Sequence, residues 1–263
     1  MANNSSANLS PASYLYGIIG SADHIISIPV NCWSVWLIAS GNKNLFESEF
    51  LTLHLVSLEL GFSLCFFLSL PCILFKYRFL VPLIDFYHGG SAAGRALFQC
   101  HICVDRYMAV VHPLLFIRYK KIRYRGACLA AVWLLVLLFG LSSRFMPMDT
   151  DLVTTGLSFL LAPALSIELF CSLSILRILK RFGPGDKKAC EKKGGSKQKM
   201  RAMKIICLAL AMLIVNMAPF LTLSLFINHG EPVDMITIAF IISSLGSSAQ
   251  AFLFLNRAGK LKS

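Results

Sequence analysis

The segment GACLAAVWLLVLLFGLSS, residues 126–143, decides the fold because it contains no charged side chain. A helix needs about 20 apolar residues to cross about 30 Å of hydrocarbon, so this segment predicts a transmembrane span. Comparable apolar segments flank it on both sides, at residues 15–40, 50–75, 80–111, 152–179, 203–228 and 233–256. Such runs are much longer than the alternating strands of a membrane barrel. We therefore predict an all-α membrane protein, a seven-transmembrane helix bundle.

The composition of the whole chain supports a membrane location. The residues are 56% hydrophobic and only 14% charged, whereas soluble domains carry about 25% charged residues. The net charge of +12 is unevenly distributed, because 21 of the 25 Lys and Arg residues fall in the odd-numbered loops, at the inner end of span three and in the C-terminal tail. Clustered basic residues mark the cytosolic side, where anionic lipid attracts them. The charge therefore indicates topology and a lipid bilayer partner, and no nucleic-acid binding.

This charge bias places the N-terminus outside the cell. Asn3, Asn4 and Asn8 each begin an Asn-x-Ser sequon, so glycosylation acceptors lie on the side that the charge bias makes extracellular. We predict an extracellular glycosylated tail at 1–14, a membrane domain at 15–256 and a short cytosolic tail at 257–263. The opening residues are polar and uncharged, so we expect the first span itself to direct insertion. The prediction is a multi-pass protein of the plasma membrane.

The string CVDRYMAVVHPLLF (103–116) ends the third predicted span. It resembles the rhodopsin-like (class A) G protein-coupled receptors, whose third helix ends in Asp-Arg-Tyr before an intracellular loop that contains proline. The matching residues are Asp105, Arg106, Tyr107 and Pro113, and the branch of nucleotide, leukotriene and protease-activated receptors is the most similar. The resemblance implies coupling to a heterotrimeric G protein, with Asp105 holding Arg106 while the receptor is silent. The alternative is an Arg106 that only anchors the helix at the membrane boundary.

Two charged residues depart from the family pattern inside the predicted bundle. Glu59 stands where the family has the aspartate that binds sodium, and Arg95 stands where a small hydroxyl residue completes that site. A buried charge without a partner costs several kcal/mol. We therefore predict a buried Glu59–Arg95 ion pair in which the guanidinium takes the place of the sodium ion.

Spans five to seven carry the residues that the resemblance associates with helix kinks and activation. Pro163 and Pro219 match the family, and proline kinks a membrane helix. Met217 replaces the usual aromatic residue of span six, and Gln250 replaces the asparagine of the Asn-Pro-x-x-Tyr motif in span seven. The resemblance thus predicts altered signal transmission inside the bundle.

The ligand is an unknown extracellular molecule. His88 lies where amine receptors carry an aspartate, so we do not expect a monoamine. The candidate ligand pocket consists of Asp85, His88, Phe220, Ser224 and Phe240. The small residues of 89–94 make span three slim, which either leaves space for a ligand or allows close helix packing.

Other classes of function have weaker support in the sequence. A transporter or channel could use a charged pathway through Asp23, Glu59, Arg95 and Glu168, although the chain has no internal repeat. A receptor relative that does not signal, acting as a decoy or a dimer partner, would fit the altered spans six and seven. We predict no enzyme, no cofactor and no metal site, because no nucleophile–base pair or metal-ligand spacing stands out.

Overall fold

The computed structural model describes residues 11–41, 43–75, 81–119, 122–145 and 151–181, with single positions at 211, 214, 215, 242, 252 and 255. Within these residues the chain is helical. The helices are α1 Pro11–Ala39, α2 Lys43–Phe75, α3 Val81–Val111, α4 Pro113–Tyr119, α5 Ile122–Phe145 and α6 Asp151–Arg181. The all-helical prediction is confirmed for this part of the chain. Predicted spans 203–228 and 233–256 lie outside it, apart from the single positions.

Three of the described helices contain a stretch that is long and apolar enough to cross a membrane. The stretches are Glu49–Leu68 in α2, Tyr124–Phe145 in α5 and Ser158–Ile178 in α6. The two other long helices also cover predicted spans, but they carry more polar residues, including Asp23 and His24 in α1 and Arg95 in α3. Three helices therefore support the membrane assignment by their length and composition.

Helix α3 lies at the centre of the described helices, since it contacts α2, α4, α5 and α6, whereas α1 packs on α2. The core between α2, α3 and α5 is a cluster formed by Leu55, Leu58, Phe98 and Val136. The opposite face of α5 is apolar and exposed, with Leu134 58% and Leu138 52% accessible. Apolar side chains on both faces are expected of a helix whose outer side meets lipid.

The slim stretch of α3 is used for close helix packing. A Cβ added at Gly89 would overlap the side chain of Ser143 in α5, and one added at Gly94 would contact Leu58 Cδ2 in α2 at 2.5 Å. The contact is reciprocal, because a Cβ on Gly140 of α5 would lie 2.9 Å from the backbone oxygen of Phe86 in α3. Small residues let membrane helices approach each other in this way. Of the two interpretations left open by the sequence, the structure shows close packing.

This packing makes Gly140→Ala destabilising. Because the new methyl group would press on backbone as well as on the Phe86 ring, we expect a loss of about 1–3 kcal/mol of unfolding free energy. Gly126→Ala is the control in the same helix, where a Cβ meets nothing within 4 Å; alanine there should stabilise by roughly 0.5–1 kcal/mol. Thermal unfolding of the purified variants in detergent measures both. Equal midpoints for the two variants would contradict the close approach of α3 and α5.

Candidate functional site

The Asp105-Arg106-Tyr107 string lies at the C-terminal end of α3, one turn before the helix stops at Val111. Proline disfavours helical backbone at the residue before it and is favoured at the first position of a helix. Accordingly, His112 is the one non-helical residue between α3 and α4, and Pro113 begins α4. His112 still takes part in backbone hydrogen bonds on both sides, since its amide donates to the Met108 carbonyl at 3.1 Å and its carbonyl accepts from the amide of Phe116 at 2.9 Å.

Asp105 is paired with a residue of α5. The Arg125 guanidinium donates from Nη2 to Asp105 Oδ2 at 3.1 Å, and the side chains of Arg125 and Asp105 are 11% and 20% exposed. A charge-assisted hydrogen bond between largely buried groups is stronger than a neutral one. It fixes the end of α3 to the beginning of α5.

Arg106 lies beside Glu49 of α2. Its Nη2 is 3.9 Å from Glu49 Oε2, a distance at which the charges attract without a hydrogen bond. The Glu49 side chain is only 5% exposed, whereas that of Arg106 is 37% exposed. The sequence led us to expect Asp105 as the residue that holds Arg106. The structure partners them differently, with Asp105 on Arg125 and Arg106 beside Glu49.

Tyr107 joins the end of α3 to α6. Its ring centroid is 5.8 Å from that of Phe170 in α6 and 5.7 Å from that of His112, both in ordinary aromatic contact. The three residues of the string therefore face three different neighbours: α5, α2 and α6.

The structure brings Glu59 of α2 and Arg95 of α3 into direct contact. Arg95 Nε donates to Glu59 Oε1 at 2.6 Å and Nη2 donates to Oε2 at 2.9 Å. This is the bidentate geometry in which a planar guanidinium matches a carboxylate. Both side chains are below 10% exposed, at 5% and 9% for Arg95 and Glu59. Whether the pair replaces a sodium site remains a prediction.

A buried shell of aromatic and polar groups surrounds this ion pair. The Phe62 ring lies one helical turn after Glu59, and its centroid is 4.8 Å from Arg95 Cζ, which adds a cation–π contact. His24 of α1 also packs edge-on against the Phe62 ring, with centroids 5.4 Å apart. His24 Nδ1 is also 3.1 Å from Ser63 Oγ, so a polar contact joins α1 to α2 beside the pair.

Most of the other predicted site residues, or their side chains, lie outside the described part of the chain. Asp85 and His88 belong to α3, but their side chains are outside the description. Pro163 lies inside α6, which continues through it from Asp151 to Arg181. The remaining predicted residues lie outside the described residues: Asn3, Asn4, Asn8, Met217, Pro219, Phe220, Ser224, Phe240 and Gln250. The candidate ligand pocket therefore stays a prediction.

Sequence reasoning missed Glu49 and Arg125. Arg125 was counted only as part of the cytosolic basic excess, and Glu49 stood at the edge of span two without a motif. One signal was present, since an acidic residue at the end of an apolar span calls for a nearby cation. The sequence alone does not show which of the many basic residues supplies it.

Glu168 of α6 is a further buried charge-bearing residue. It is 1% exposed, and among the described residues neither of its carboxyl oxygens has a hydrogen-bond partner. An ionisable side chain inside a membrane helix is by default a functional candidate.

No family model and no curated protein matches the chain. The functional interpretation therefore depends on the geometry of the described helices and on the residues of the motif.

Proposed function

We propose that this protein is a seven-helix receptor of the rhodopsin-like type, located in the plasma membrane with its N-terminus outside. It transmits the signal of an extracellular ligand to a heterotrimeric G protein. The observation that carries this proposal is the arrangement at the end of α3, where Asp105 and Arg106 are held by ion pairs to α5 and α2. The Arg106 guanidinium is partly exposed, and the carboxylate beside it, that of Glu49, is buried.

This arrangement suits a residue that changes partner. The contact between Arg106 and Glu49 is long, and exposed ion pairs contribute only about 0–1 kcal/mol, so little free energy is needed to separate them. A released guanidinium has five N–H donors for the backbone carbonyls of a cytosolic protein. Asp105 would stay on Arg125 and keep the end of α3 in place.

The neighbouring helix α4 provides a contact surface next to Arg106. Leu114 is 83% exposed and Ile117 is 69% exposed. These residues lie three apart, so they share one face of α4. A partner protein that covers this apolar face would bring its own polar backbone close to Arg106, which is the combination of apolar anchor and arginine typical of binding hot spots.

Arg106→Ala tests the proposal. Because a charge-assisted hydrogen bond to the partner would be lost, basal G-protein activation in cells should fall about tenfold or more at equal surface amounts. Arg144→Ala is the control. This exposed arginine lies at the C-terminal end of α5, whereas the N-terminal end of α5 holds Arg125, the partner of Asp105. The control variant should signal like the parent.

The other outcomes are equally informative. If Arg106→Ala signals like the parent, the arginine is only an anchor and the proposed coupling role is wrong. If cells with and without the chain show the same G-protein activation, a receptor relative that does not signal is favoured over a signalling receptor.

Glu168 supports a second candidate function, an ion pathway, because its buried carboxyl has no hydrogen-bond partner among the described residues. Ion flux in reconstituted vesicles would distinguish that candidate.

A further inference from the structure

Glu49 occupies a special position in α2. The helix contains one residue with non-helical backbone, Glu49, at φ −109° and ψ 16°. The apolar stretch Glu49–Leu68 starts at this kink. A carboxylate at the N-terminal end of a helix is stabilised by the helix dipole. Thr52 Oγ1 also donates a hydrogen bond to Glu49 Oε2 at 2.8 Å. The kink and Thr52 together fix the direction of the Glu49 carboxylate.

This carboxylate is buried at the point where α3 ends. Glu49 is 4% exposed, and α2 begins on the same side of the helix bundle on which α3 terminates, since the two helices are antiparallel neighbours. The oxygen that accepts the Thr52 hydrogen bond is also the one that lies 3.9 Å from Arg106 Nη2. A buried carboxylate needs a nearby cation, and Arg106 supplies positive charge at this position.

We propose that Glu49 is the positioning residue for Arg106: its carboxylate holds the guanidinium against α2 and withholds it from a cytosolic partner. Asp105 is less suited to this role, because its Oδ2 accepts the hydrogen bond of Arg125. Thr52 orients the Glu49 carboxylate and so affects Arg106 indirectly, through Glu49. This proposal rests on the proposed G-protein coupling, for which it names the residue that keeps the receptor silent.

Glu49→Gln should raise basal G-protein activation about two- to fivefold at equal surface amounts, the size expected of a partly exposed ion pair. The amide keeps the shape and can still accept the Thr52 hydrogen bond, but it has no charge to retain Arg106. Thr52→Val should raise activation in the same direction by less, and Glu49→Asp should remain closer to the parent than Glu49→Gln. Glu47→Gln, two residues earlier in α2, is the matched control and should not raise it.

A second measurement needs no G protein. In the purified chain, Arg106→Gln should lower the midpoint of thermal unfolding by about 2–4 °C, because the attraction between the Arg106 and Glu49 charges, 3.9 Å apart, is lost. In a Glu49→Gln background the same change should lower it much less, which a double-mutant cycle detects.

The two measurements separate the two proposals. Coupling in the thermal cycle without any G-protein activation would overturn the receptor function and leave the ion pair in place. A loss of signalling in Arg106→Ala, combined with unchanged basal activity in Glu49→Gln, would overturn the role of Glu49 alone. Additive thermal shifts would likewise overturn it, since the two charges would then not interact.

Discussion

Arg95→Gln is expected to lower the free energy of unfolding by about 3–5 kcal/mol. The substitution leaves Glu59 buried, with both of its carboxylate oxygens deprived of the guanidinium that donates to them at 2.6 and 2.9 Å. It also removes the cation that lies 4.8 Å from the Phe62 ring centroid. Glu59→Gln should destabilise for the converse reason, because the Arg95 charge is then buried without its carboxylate.

The double replacement distinguishes a specific pair from two separate polar residues. Exchanging a complete buried pair for apolar residues of similar volume is often neutral or stabilising. Glu59→Leu combined with Arg95→Met should therefore recover part of the stability that either single glutamine variant loses. Thermal unfolding in detergent and the amount of protein at the cell surface both measure this recovery.

The outcome that would contradict the pair is additivity, with the double variant as unstable as the sum of Glu59→Leu and Arg95→Met made singly. Sodium provides an independent check. If Arg95 fills the place of the ion, sodium should have little effect on stability or basal activity of the parent chain. A clear sodium effect in the parent would contradict replacement of the ion even if the two side chains stay in contact.

The contact between Glu59 and Arg95 could be predicted because both residues lie deep within predicted spans, where an isolated charge is strongly disfavoured. Few partners are available at that depth, so charge and depth together nearly determine the pairing. The end of α3 is different. There, basic residues are numerous and water is close, and the sequence offers no comparable constraint.

Helix geometry explains why Asp105 and Arg106 make their direct contacts with different helices. Consecutive residues of a helix do not face each other. Asp105 and Arg106 therefore point toward different helices, and each finds its opposite charge there: Arg125 in α5 and Glu49 in α2. An ion pair between residues i and i+1 of one helix is not expected where neighbouring helices offer each residue an opposite charge.

The glycine stretch of α3 could not be interpreted from the sequence for a related reason. Small residues lower the bulk of a helix, but the neighbouring helix decides whether that space is filled. Here α5 fills it, because Gly140 lets the backbone of α5 approach Phe86. The sequence of α3 alone contains no information about the register of α5.

Two ion pairs at different depths join α2 to α3. Glu49 and Glu59 are ten positions apart, and Arg95 and Arg106 are eleven apart, which corresponds to about 15–17 Å along each of the two antiparallel helices. The core pair is bidentate and buried, whereas the pair at the end of α3 is long and partly exposed. The first is suited to holding the two helices in register. The second can open without disturbing that register, as the proposed release of Arg106 requires.

The aromatic core next to these pairs should make Phe98→Ala strongly destabilising. Phe98 is 0% exposed in α3, and its ring centroid is 5.3 Å from that of Trp133 in α5 and 6.3 Å from that of His54 in α2. Truncation would leave a cavity where three helices meet, at a cost of about 3–5 kcal/mol. Thermal unfolding of the purified variant measures the loss.

Phe159→Ala is the matched control, because this phenylalanine of α6 is 78% exposed. Its removal creates no cavity among the described helices, so the unfolding midpoint should change little. The comparison separates burial within the protein from apolar character as such, which both positions share. If the two variants were equally destabilised, contact with lipid or detergent would contribute as much as helix packing does. If instead Phe98→Ala changed the midpoint as little as is expected of Phe159→Ala, the burial of Phe98 between α2, α3 and α5 would be contradicted.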